Sequence, residues 1–241
     1  LFEIALFAIK LNKHVLIEKP GAKNYTELNN LYKISNKSNS IIKVGYNHRF
    51  HPAVLMAEKL FNQNKIGELL YIRGRYGHGA RIGYEKEWRA FKKISGGGEL
   101  LDQGSHLIDL SLIFLKDIKK KEAKLRNFFW NMSVEDNAFI TLENKKGNIS
   151  SLHCSWTEWK NLFSFEIFGR TGKLQIEGLG GSYGVETLKF YKMSKQLGPP
   201  KLKTFKFLEE DDSWKRELQD FLLCIKKNRK CNSLINSLKV F

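Results

Sequence analysis

The first 52 residues alternate between amphipathic helical stretches and short apolar strands. Apolar residues recur at helical spacing over residues 1–12 and 24–38, and apolar runs follow at 14–20 (HVLIEKP) and 41–47 (IIKVGYN). Pro20 ends the first strand because it lacks an N–H group and restricts the residue before it. Continuous apolar strands separated by a helix are typical of a parallel sheet that is buried on both faces. This part of the chain therefore predicts the tail of an α/β unit.

From about residue 68 the pattern changes to short runs that are typical of β-strands, with turns at 143–148 (ENKKGN) and 169–172 (GRTG) between successive runs. We predict eight strands, with the sequences ELLYIRGRYGH, EAKLRNFFWNM, VEDNAFITLEN, GNISSLHCSWTEW, FSFEIFGRTG, KLQIEGL, VETLKFYKM and KLKTFKF. One helix over 99–115 interrupts them and another, near 213–227, follows them. The pattern predicts a meander, and therefore a large and mainly antiparallel sheet.

The composition is that of a soluble globular protein, with 42% hydrophobic and 27% charged residues and only four prolines. No apolar run approaches the roughly 18 residues that a membrane span needs. Cys154, Cys224 and Cys231 are far apart and lack CxxC spacing, so we expect reduced, structural thiols rather than a disulfide framework or a zinc site. A cytoplasmic location is the default expectation.

The formal net charge of +16 is compatible with a nucleic acid, an acidic membrane surface or a phosphorylated ligand as partner. The lysines are scattered, however, and the densest cluster, Lys116 to Lys124, has no interleaved aromatic residues that would stack on bases. We expect this cluster to be solvated. A nucleic-acid-binding domain is the less favoured alternative.

Both ends of the sequence have apolar residues at helical spacing. The chain opens in LFEIALFAIKLNKH, without an initiator methionine or a helix-capping residue, and it closes in SLINSLKVF. We expect the sequence to be an internal fragment of a longer protein.

The segment GGGELLDQGSHLIDL, residues 96–110, combines glycines, an apolar helix and charged groups. On a helix, Asp102, His106 and Asp109 fall within one narrow stripe. The other faces are apolar, with Leu101, Leu107, Ile108, Leu110, Leu112 and Ile113. The stripe should face a cleft or paired partners, because an isolated buried carboxylate is costly. The glycines in front of the helix leave room for a ligand or another backbone to approach. The alternatives are that Asp102 and His106 pair with each other, and that the glycines form only a flexible turn.

Two further polar segments follow apolar strands. Lys19 ends the first strand, and GYNHRFHP, residues 45–52, follows the second. Ligands of α/β sheets bind at the carboxyl ends of strands, so Lys19, Asn47, His48, Arg49 and His51 are candidates for a site there. The alternatives are a solvated lysine and a polar loop in which Pro52 begins a helix at its first position.

The three segments EKP, GYNHRFHP and GGGELLDQGSHLIDL, in this order and spacing, resemble the Gfo/Idh/MocA family of nicotinamide-dependent sugar and cyclitol oxidoreductases. In that family an N-terminal Rossmann domain binds the cofactor, and a C-terminal domain with a large open antiparallel sheet supplies the substrate site and usually the oligomer contacts. The resemblance implies that residues 1–52 are the C-terminal portion of the Rossmann domain. Residues 53–241 would be the substrate-binding and oligomerisation α+β domain. The family's GxGxxG fingerprint is absent from this sequence, so the choice between NAD and NADP stays open.

The resemblance also implies roles for individual residues. His106 would take a proton from a sugar hydroxyl while hydride leaves the same carbon, since an imidazole can titrate near neutrality. Lys19 would hold that oxygen and stabilise its developing negative charge, and Asp102 would orient the ring or bind a hydroxyl. The cofactor-binding candidates are Glu18, Lys19, Pro20, Asn47, Trp88 and Arg89, and the alternative for the last two is a packed tryptophan beside a surface arginine. The substrate-binding candidates are Arg49, Tyr76, His78, Asp102 and His106, with Arg81 as a further residue of the cavity, whereas Trp156 and Trp159 would pack at a sheet face or subunit contact.

We therefore expect an oxidoreductase that transfers a hydride between NAD or NADP and a hydroxyl or keto carbon of a sugar, cyclitol or nucleotide sugar. The expected partners are this small molecule and further copies of the chain, as a dimer or tetramer through the open sheet, with no nucleic acid, membrane or metal. The alternative from another class is a non-catalytic family member that acts as a binding or oligomerisation module.

Overall fold

The computed structural model describes residues 1–231 and 233–241, within which the chain forms two sheets surrounded by helices. The helices are α1 (Phe2–Lys10), α2 (Tyr25–Asn36), α3 (Pro52–Asn62), α4 (Lys92–Ser95), α5 (Ser105–Leu115), α6 (Ser213–Lys226) and α7 (Ser233–Ser237). The strands are β1 (Val15–Glu18), β2 (Ile42–Gly45), β3 (Leu69–Gly77), β4 (Lys120–Arg126), β5 (Asn137–Glu143), β6 (Ile149–Ser155), β7 (Leu162–Gly169), β8 (Gly172–Glu177), β9 (Glu186–Lys192) and β10 (Lys201–Phe207). None of the helices in these described ranges is long and apolar enough to cross a bilayer.

The smaller sheet pairs β1 with β2 in parallel, from Val15 opposite Ile42 to Glu18 opposite Gly45. The connecting helix α2 begins at Asn24, whose side chain accepts a hydrogen bond from the Glu27 amide at 2.9 Å. The predicted α/β unit is thus confirmed. Helix α7 returns to this sheet, because buried Leu234 joins the same apolar core as α1 and α2.

The larger sheet has the strand order β10-β9-β8-β7-β3-β6-β5-β4. Its neighbouring strands are antiparallel except for β3 and β6, which run parallel. The prediction of a mainly antiparallel sheet is therefore confirmed, but a continuous meander is wrong. Strand β3 is the first strand of this sheet along the chain, yet it lies inside the sheet, with β6 at one edge and β7 at the other.

Helices α3 and α5 cover one face of the larger sheet. Every residue of α5, from Ser105 to Leu115, is buried, so this helix is apolar on nearly all sides. It packs into the main core with Ile72, Leu152 and Phe165. A polar side chain on α5 must therefore face another element or a cavity.

The opposite face of the larger sheet is open and carries cross-strand pairs. Arg73 and Lys173 both contact Glu166, at 2.6 and 2.9 Å respectively. Beside them, the rings of Tyr71 and Phe168 stack with their centroids 4.3 Å apart. This face combines aromatic surface with opposite charges.

A buried carboxylate ends β4 earlier than the sequence predicts. Asp136 is 0% exposed and accepts hydrogen bonds at 2.8 to 3.0 Å from three consecutive backbone amides, those of Phe128, Phe129 and Trp130. These residues, which we predicted to continue the strand, form a turn instead. Burial alone would raise the pKa of Asp136, but the Asn137 side chain and the three amides lower it on balance.

Replacing Asp136 by alanine should lower the free energy of unfolding by about 2–4 kcal/mol at neutral pH, because three partly buried amides lose a charged acceptor. Since the folded-state pKa is depressed, the stabilisation exists above the ordinary carboxyl pKa and disappears as pH falls through the folded-state value. Urea unfolding at several pH values measures both effects. Asp117→Ala, which removes an exposed carboxylate bonded to one amide, is the matched control. An equal loss in both variants would contradict the role of the Asp136 turn.

Candidate active site

The glycine run before α5 allows two other backbone segments to approach closely. A Cβ atom on Gly98 would lie 2.1 Å from the carbonyl oxygen of Glu135, and one on Gly96 would lie 2.5 Å from that of Lys23. Gly96 also has a φ of +86°, which side chains other than glycine rarely adopt. These glycines are therefore needed for backbone contact, and they fix where the next turn begins.

That next turn, Leu100–Gly104, is π-helical and leads directly into α5. It carries Asp102 to the end of β1, where the Lys19 Nζ atom donates to both Asp102 Oδ1 and the Asp102 carbonyl oxygen at 2.6 Å. Turns of this kind occur often at functional sites. The alternative that Asp102 pairs with His106 is not what the structure shows, because Asp102 pairs with Lys19.

The Lys19–Asp102 pair is only partly exposed, at 20% for the lysine side chain and 28% for the aspartate side chain. Burial would raise the pKa of Asp102, but Lys19 and then Arg89 lower it on balance. The Arg89 Nε atom lies 3.6 Å from Asp102 Oδ2. Asp102 is thus an anion held between two cations.

His106 lies one turn further on, 4% exposed. Its ring stacks on that of His48, with centroids 3.7 Å apart and planes inclined by 16°. Burial, with smaller effects of His48 and Lys19, lowers the pKa of His106 well below its ordinary value. The expectation of an imidazole that titrates near neutrality is therefore corrected: in this environment His106 is neutral at pH 7.

Glu99 is a buried acid that the sequence interpretation did not single out. It is 0% exposed, and neither carboxyl oxygen makes a hydrogen bond of normal geometry within the described residues. Burial and the nearby Asp102 raise its pKa well above the ordinary value, while Lys19 opposes this rise. Burial therefore favours the protonated, neutral form of Glu99.

Two cavities meet at Lys19, Arg89 and Asp102. Cavity A, of about 330 Å³, is lined by Lys19, Tyr76, His78, Arg81, Tyr84, Glu87, Arg89, Asp102, Gln103, His106 and Tyr183. Cavity B, of about 800 Å³, has a more apolar wall that includes Glu18, Lys19, Pro20, Trp88, Arg89, Ile94, Gly97, Leu101, Asp102 and Trp156. The lysine and the aspartate therefore face both spaces, and His106 faces cavity A.

The structure brings most of the sequence-predicted residues to these cavities. Glu18, Pro20 and Trp88 line cavity B, and Tyr76 and His78 line cavity A.

Two candidates lie elsewhere. Arg49 donates to the buried carboxylate of Asp109, with 2.7 Å between Nη2 and Oδ1, and it lines a separate cavity with Lys43. Asn47 is buried and donates to the Ser213 hydroxyl at 3.0 Å. The expected substrate contact of Arg49, the expected cofactor contact of Asn47 and the expectation that Asp109 shares the stripe's cleft are therefore not supported. Asp109 is buried on α5 and pairs with Arg49, so neither side chain faces cavity A. The side chain of Asn47 is bonded to Ser213 instead of lining cavity B.

Sequence reasoning missed Tyr84, Gln103 and Tyr183, which line cavity A. Gln103 could have been found from the sequence, because it lies in the glycine motif as the residue directly after Asp102. Tyr183 lies in a loop between β8 and β9, and the Gln103 amide donates to its hydroxyl at 3.3 Å. Of the two tryptophans expected to pack, Trp156 is fully buried against Tyr84. Trp159 is 63% exposed.

Within residues 1–231 and 233–241, three or more His, Cys, Asp or Glu side chains are nowhere grouped so as to hold a metal ion.

Residues 54–175 match the model of a protein family described as the GFO/IDH/MocA C-terminal domain. The matched range runs from α3 into β8 and so includes the glycine run, the π-helical turn and α5. It covers cavity A except for Lys19 and Tyr183.

Two curated proteins are similar to part of the chain. A segment of 125 residues is 33% identical to levoglucosan dehydrogenase of Pseudarthrobacter phenanthrenivorans and covers 51% of this chain and 32% of that protein. A segment of 140 residues is 29% identical to trans-1,2-dihydrobenzene-1,2-diol dehydrogenase of Danio rerio, covering 58% of this chain and 41% of that protein. The chain thus matches less than half the length of either relative.

Solved structures match nearly the whole chain. The structure of levoglucosan dehydrogenase in complex with NADH and levoglucosan has a TM-score of 0.88 at 22% identity, covering 99% of this chain and 72% of that one. A Desulfitobacterium hafniense oxidoreductase described as NADPH-dependent has a TM-score of 0.85 at 17% identity, covering 99% and 71%. At these identities the likeness shows the fold, and it confirms the predicted fold class.

Glu99→Gln should become progressively more stable than the wild type as the pH rises from about 5 to 8. The folded protein keeps the Glu99 proton that the unfolded chain releases above its ordinary pKa, so wild-type stability falls with pH by at most about 1.4 kcal/mol per unit from this group. Glutamine has no proton to lose. Urea unfolding at both ends of the range measures the difference.

Glu122→Gln on the exposed strand β4 is the control and should show no such trend. A stability difference between Glu99→Gln and wild type that stays constant over this pH range would show that Glu99 is ionised in the folded protein.

Proposed function

This chain belongs to the Gfo/Idh/MocA family, and from that premise we propose that it carries the catalytic groups of a nicotinamide-dependent dehydrogenase of sugars, cyclitols or nucleotide sugars. The observation that carries the proposal is that cavities A and B meet at the Lys19–Asp102 pair, with His106 in the wall of cavity A. A hydride transfer needs two ligands in contact at one point, with a proton acceptor beside it.

Cavity B fits the nicotinamide end of the cofactor, NAD or NADP. Its wall is largely apolar, with Leu101 and the ring of Trp88, and the buried Trp156 Nε1–H group has no hydrogen-bond partner within the described residues. A flat heteroaromatic ring with a polar substituent suits such a wall. When bound, the cofactor would supply the two-electron acceptor or donor. Support for this class of cofactor comes from relatives whose structures are described as NADH complexes.

Cavity A would hold the sugar. Three phenols, those of Tyr76, Tyr84 and Tyr183, line it together with His78 and Gln103, so apolar ring surfaces alternate with hydrogen-bonding groups. A sugar ring presents the same alternation of C–H faces and hydroxyls. Levoglucosan dehydrogenase, whose structures are described with levoglucosan and with L-sorbose, has this fold and supports the substrate class.

His106, Lys19 and Asp102 would each have a different role in the oxidation of the sugar. The neutral imidazole of His106 can accept the hydroxyl proton as hydride leaves the same carbon, since its lowered pKa keeps it unprotonated. The Lys19 ammonium would stabilise the negative charge that develops on that oxygen. Asp102 holds Lys19 in place through the 2.6 Å contact. In the reductive direction the same groups return the proton.

The division of the chain at residue 52 into a nucleotide-binding and a substrate-binding part is also a proposal. It is supported by the apolar core around each sheet, and helix α7 is the part of residues 53–241 that packs back into the core of the smaller sheet through Leu234. A cytoplasmic location is proposed as well, supported by the three cysteines, which are free thiols.

We further propose that the protein is a homo-oligomer, a dimer or tetramer that pairs through the open face of the larger sheet. The exposed Tyr71, at 43%, and the rows of opposite charges around Glu166 support this, because the same face on a second copy would be complementary to it.

Lys19→Met and His106→Asn in the full-length protein should each lower kcat for sugar oxidation by about 10²- to 10⁴-fold, because they remove the charge on the reacting oxygen or the proton acceptor. Steady-state kinetics with NAD or NADP across a panel of sugars measures this. Lys201→Met on the exposed strand β10 is the matched control and should keep wild-type kcat. Melting temperatures show whether each variant is folded.

Near-normal turnover in both site variants would contradict the assignment of roles. A wild-type protein that binds the cofactor but turns over no sugar would favour the non-catalytic alternative.

The native mass in solution should be that of a dimer or tetramer, and Tyr71→Glu should shift it towards the monomer because a charge would enter the buried contact. Light scattering coupled to size-exclusion chromatography measures this. Trp214→Glu, at an exposed position on α6, should leave the mass unchanged. A monomeric wild type would contradict the proposed assembly.

A further inference from the structure

The ring of His106 lacks the hydrogen bond that usually orients a catalytic imidazole. Its Nδ1 atom is buried and has no hydrogen-bond partner in residues 1–231 and 233–241. In most general bases of this type, one ring nitrogen binds an acceptor that fixes both the ring plane and the tautomer. The orientation of His106 must therefore come from packing.

The packing comes from His48, which stacks on His106 with 3.7 Å between ring centroids. Tyr46 and Tyr76 contact His106 only edge-on, at 5.9 and 6.3 Å between centroids. The flat face of His48 is therefore the surface that defines the plane of His106. If the His106 ring rotated out of that plane, the face-to-face contact would be lost and the edge of the His106 ring would clash with the His48 ring.

His48 itself is held at both ring nitrogens. Its Nδ1 lies 3.0 Å from the Asn47 side-chain oxygen, which can only accept, so Nδ1 carries the proton. Its Nε2 lies 3.1 Å from the Tyr76 hydroxyl, which must then donate. Asn47 is fixed in turn by donating to the Ser213 hydroxyl at 3.0 Å. Contacts from Asn47, from Tyr76 on β3 and from Ser213 on α6 thus fix one imidazole.

We propose that His48 is the positioning residue of the active site, holding the His106 ring in the plane from which it accepts the substrate proton. This inference rests on the proposed function, since it gives His106 the role of proton acceptor. His48 does not line cavity A, so it acts through His106 and not on the substrate. Burial, followed by His51 and Lys19, lowers the pKa of His48, which keeps the stacked pair uncharged.

Two substitutions separate stacking from hydrogen bonding. His48→Phe keeps a flat ring and loses both hydrogen bonds, whereas His48→Gln keeps polar groups and loses the ring. The proposal predicts that kcat falls by roughly tenfold to hundredfold in His48→Gln, because a reacting group displaced by about 1 Å costs that much. In His48→Phe kcat should stay within about threefold of wild type on the same reasoning. The KM for sugar should change less than kcat in both, because all residues that line cavity A remain and only the Tyr76 hydroxyl loses a partner.

The matched control is His153→Gln. His153 also stacks on an aromatic ring, that of Phe139, with 4.3 Å between centroids and planes inclined by 8°, and it lines neither cavity A nor cavity B. This control should keep wild-type kcat. A purely structural role of His48 predicts instead that kcat follows thermal stability, so that His48→Phe, with two buried hydrogen bonds lost, is the more impaired variant.

A second readout needs neither cofactor nor sugar. In the ligand-free protein, the ring-proton NMR signals of His106, identified by their loss in His106→Asn, should be shifted upfield in wild type and in His48→Phe by the neighbouring ring. In His48→Gln they should move towards the position of an unstacked histidine and broaden. If His48→Gln does not fold, His48→Ala supplies the variant without a ring, and the same loss of kcat and the same shift of the His106 signals are expected of it.

Wild-type kcat in His48→Gln, or equal losses in both folded variants, would overturn the proposal. These results are distinct from failure of the proposed function, in which the wild-type protein itself would show no sugar oxidation and His106→Asn would change nothing.

Discussion

The ion pair between Lys19 and Asp102 is the contact on which the arrangement of the site depends. It joins the end of β1 in the smaller sheet to the π-helical turn before α5 on the larger sheet, with 2.6 Å between the charged atoms. Neither charge would be stable there alone, because the desolvation of an unpaired, partly buried charge costs roughly several kcal/mol of folding free energy. The pair therefore fixes the point at which cavities A and B meet.

Backbone contacts bring the two partners together. Gly96 and Gly98 allow the backbones of Lys23 and Glu135 to approach to distances that any Cβ atom would prevent. The π-helical turn then directs Asp102 towards Lys19, and α5, which is buried on all sides, carries His106 one turn further on. The two titratable side chains of this helix thus lie in two places, His106 at the cavity and Asp109 in the contact with Arg49. The same burial keeps His106 neutral and leaves its orientation to packing.

The sequence predicted the parts of this site that depend on local pattern. Strand-end position placed Lys19 correctly, and helical spacing brought Asp102 and His106 to one cavity. Spacing could not reveal partners, however, and so Asp109 and Arg49 were assigned to a cleft although they bind each other. In the same way, alternation identified β3 but could not place it between β6 and β7, because strand order depends on contacts far apart in the chain. Tyr183 stands in a loop without a pattern, and only the fold shows that it lines cavity A.

The proposed geometry of the site is tested most directly by a crystal structure of the full-length protein with reduced nicotinamide cofactor and a sugar that it oxidises. We predict that the nicotinamide lies in cavity B and the sugar in cavity A, with the reacting hydroxyl within hydrogen-bond distance of both Lys19 Nζ and the His106 ring. A sugar bound elsewhere, or a reacting hydroxyl that contacts neither of these nitrogens, would contradict it.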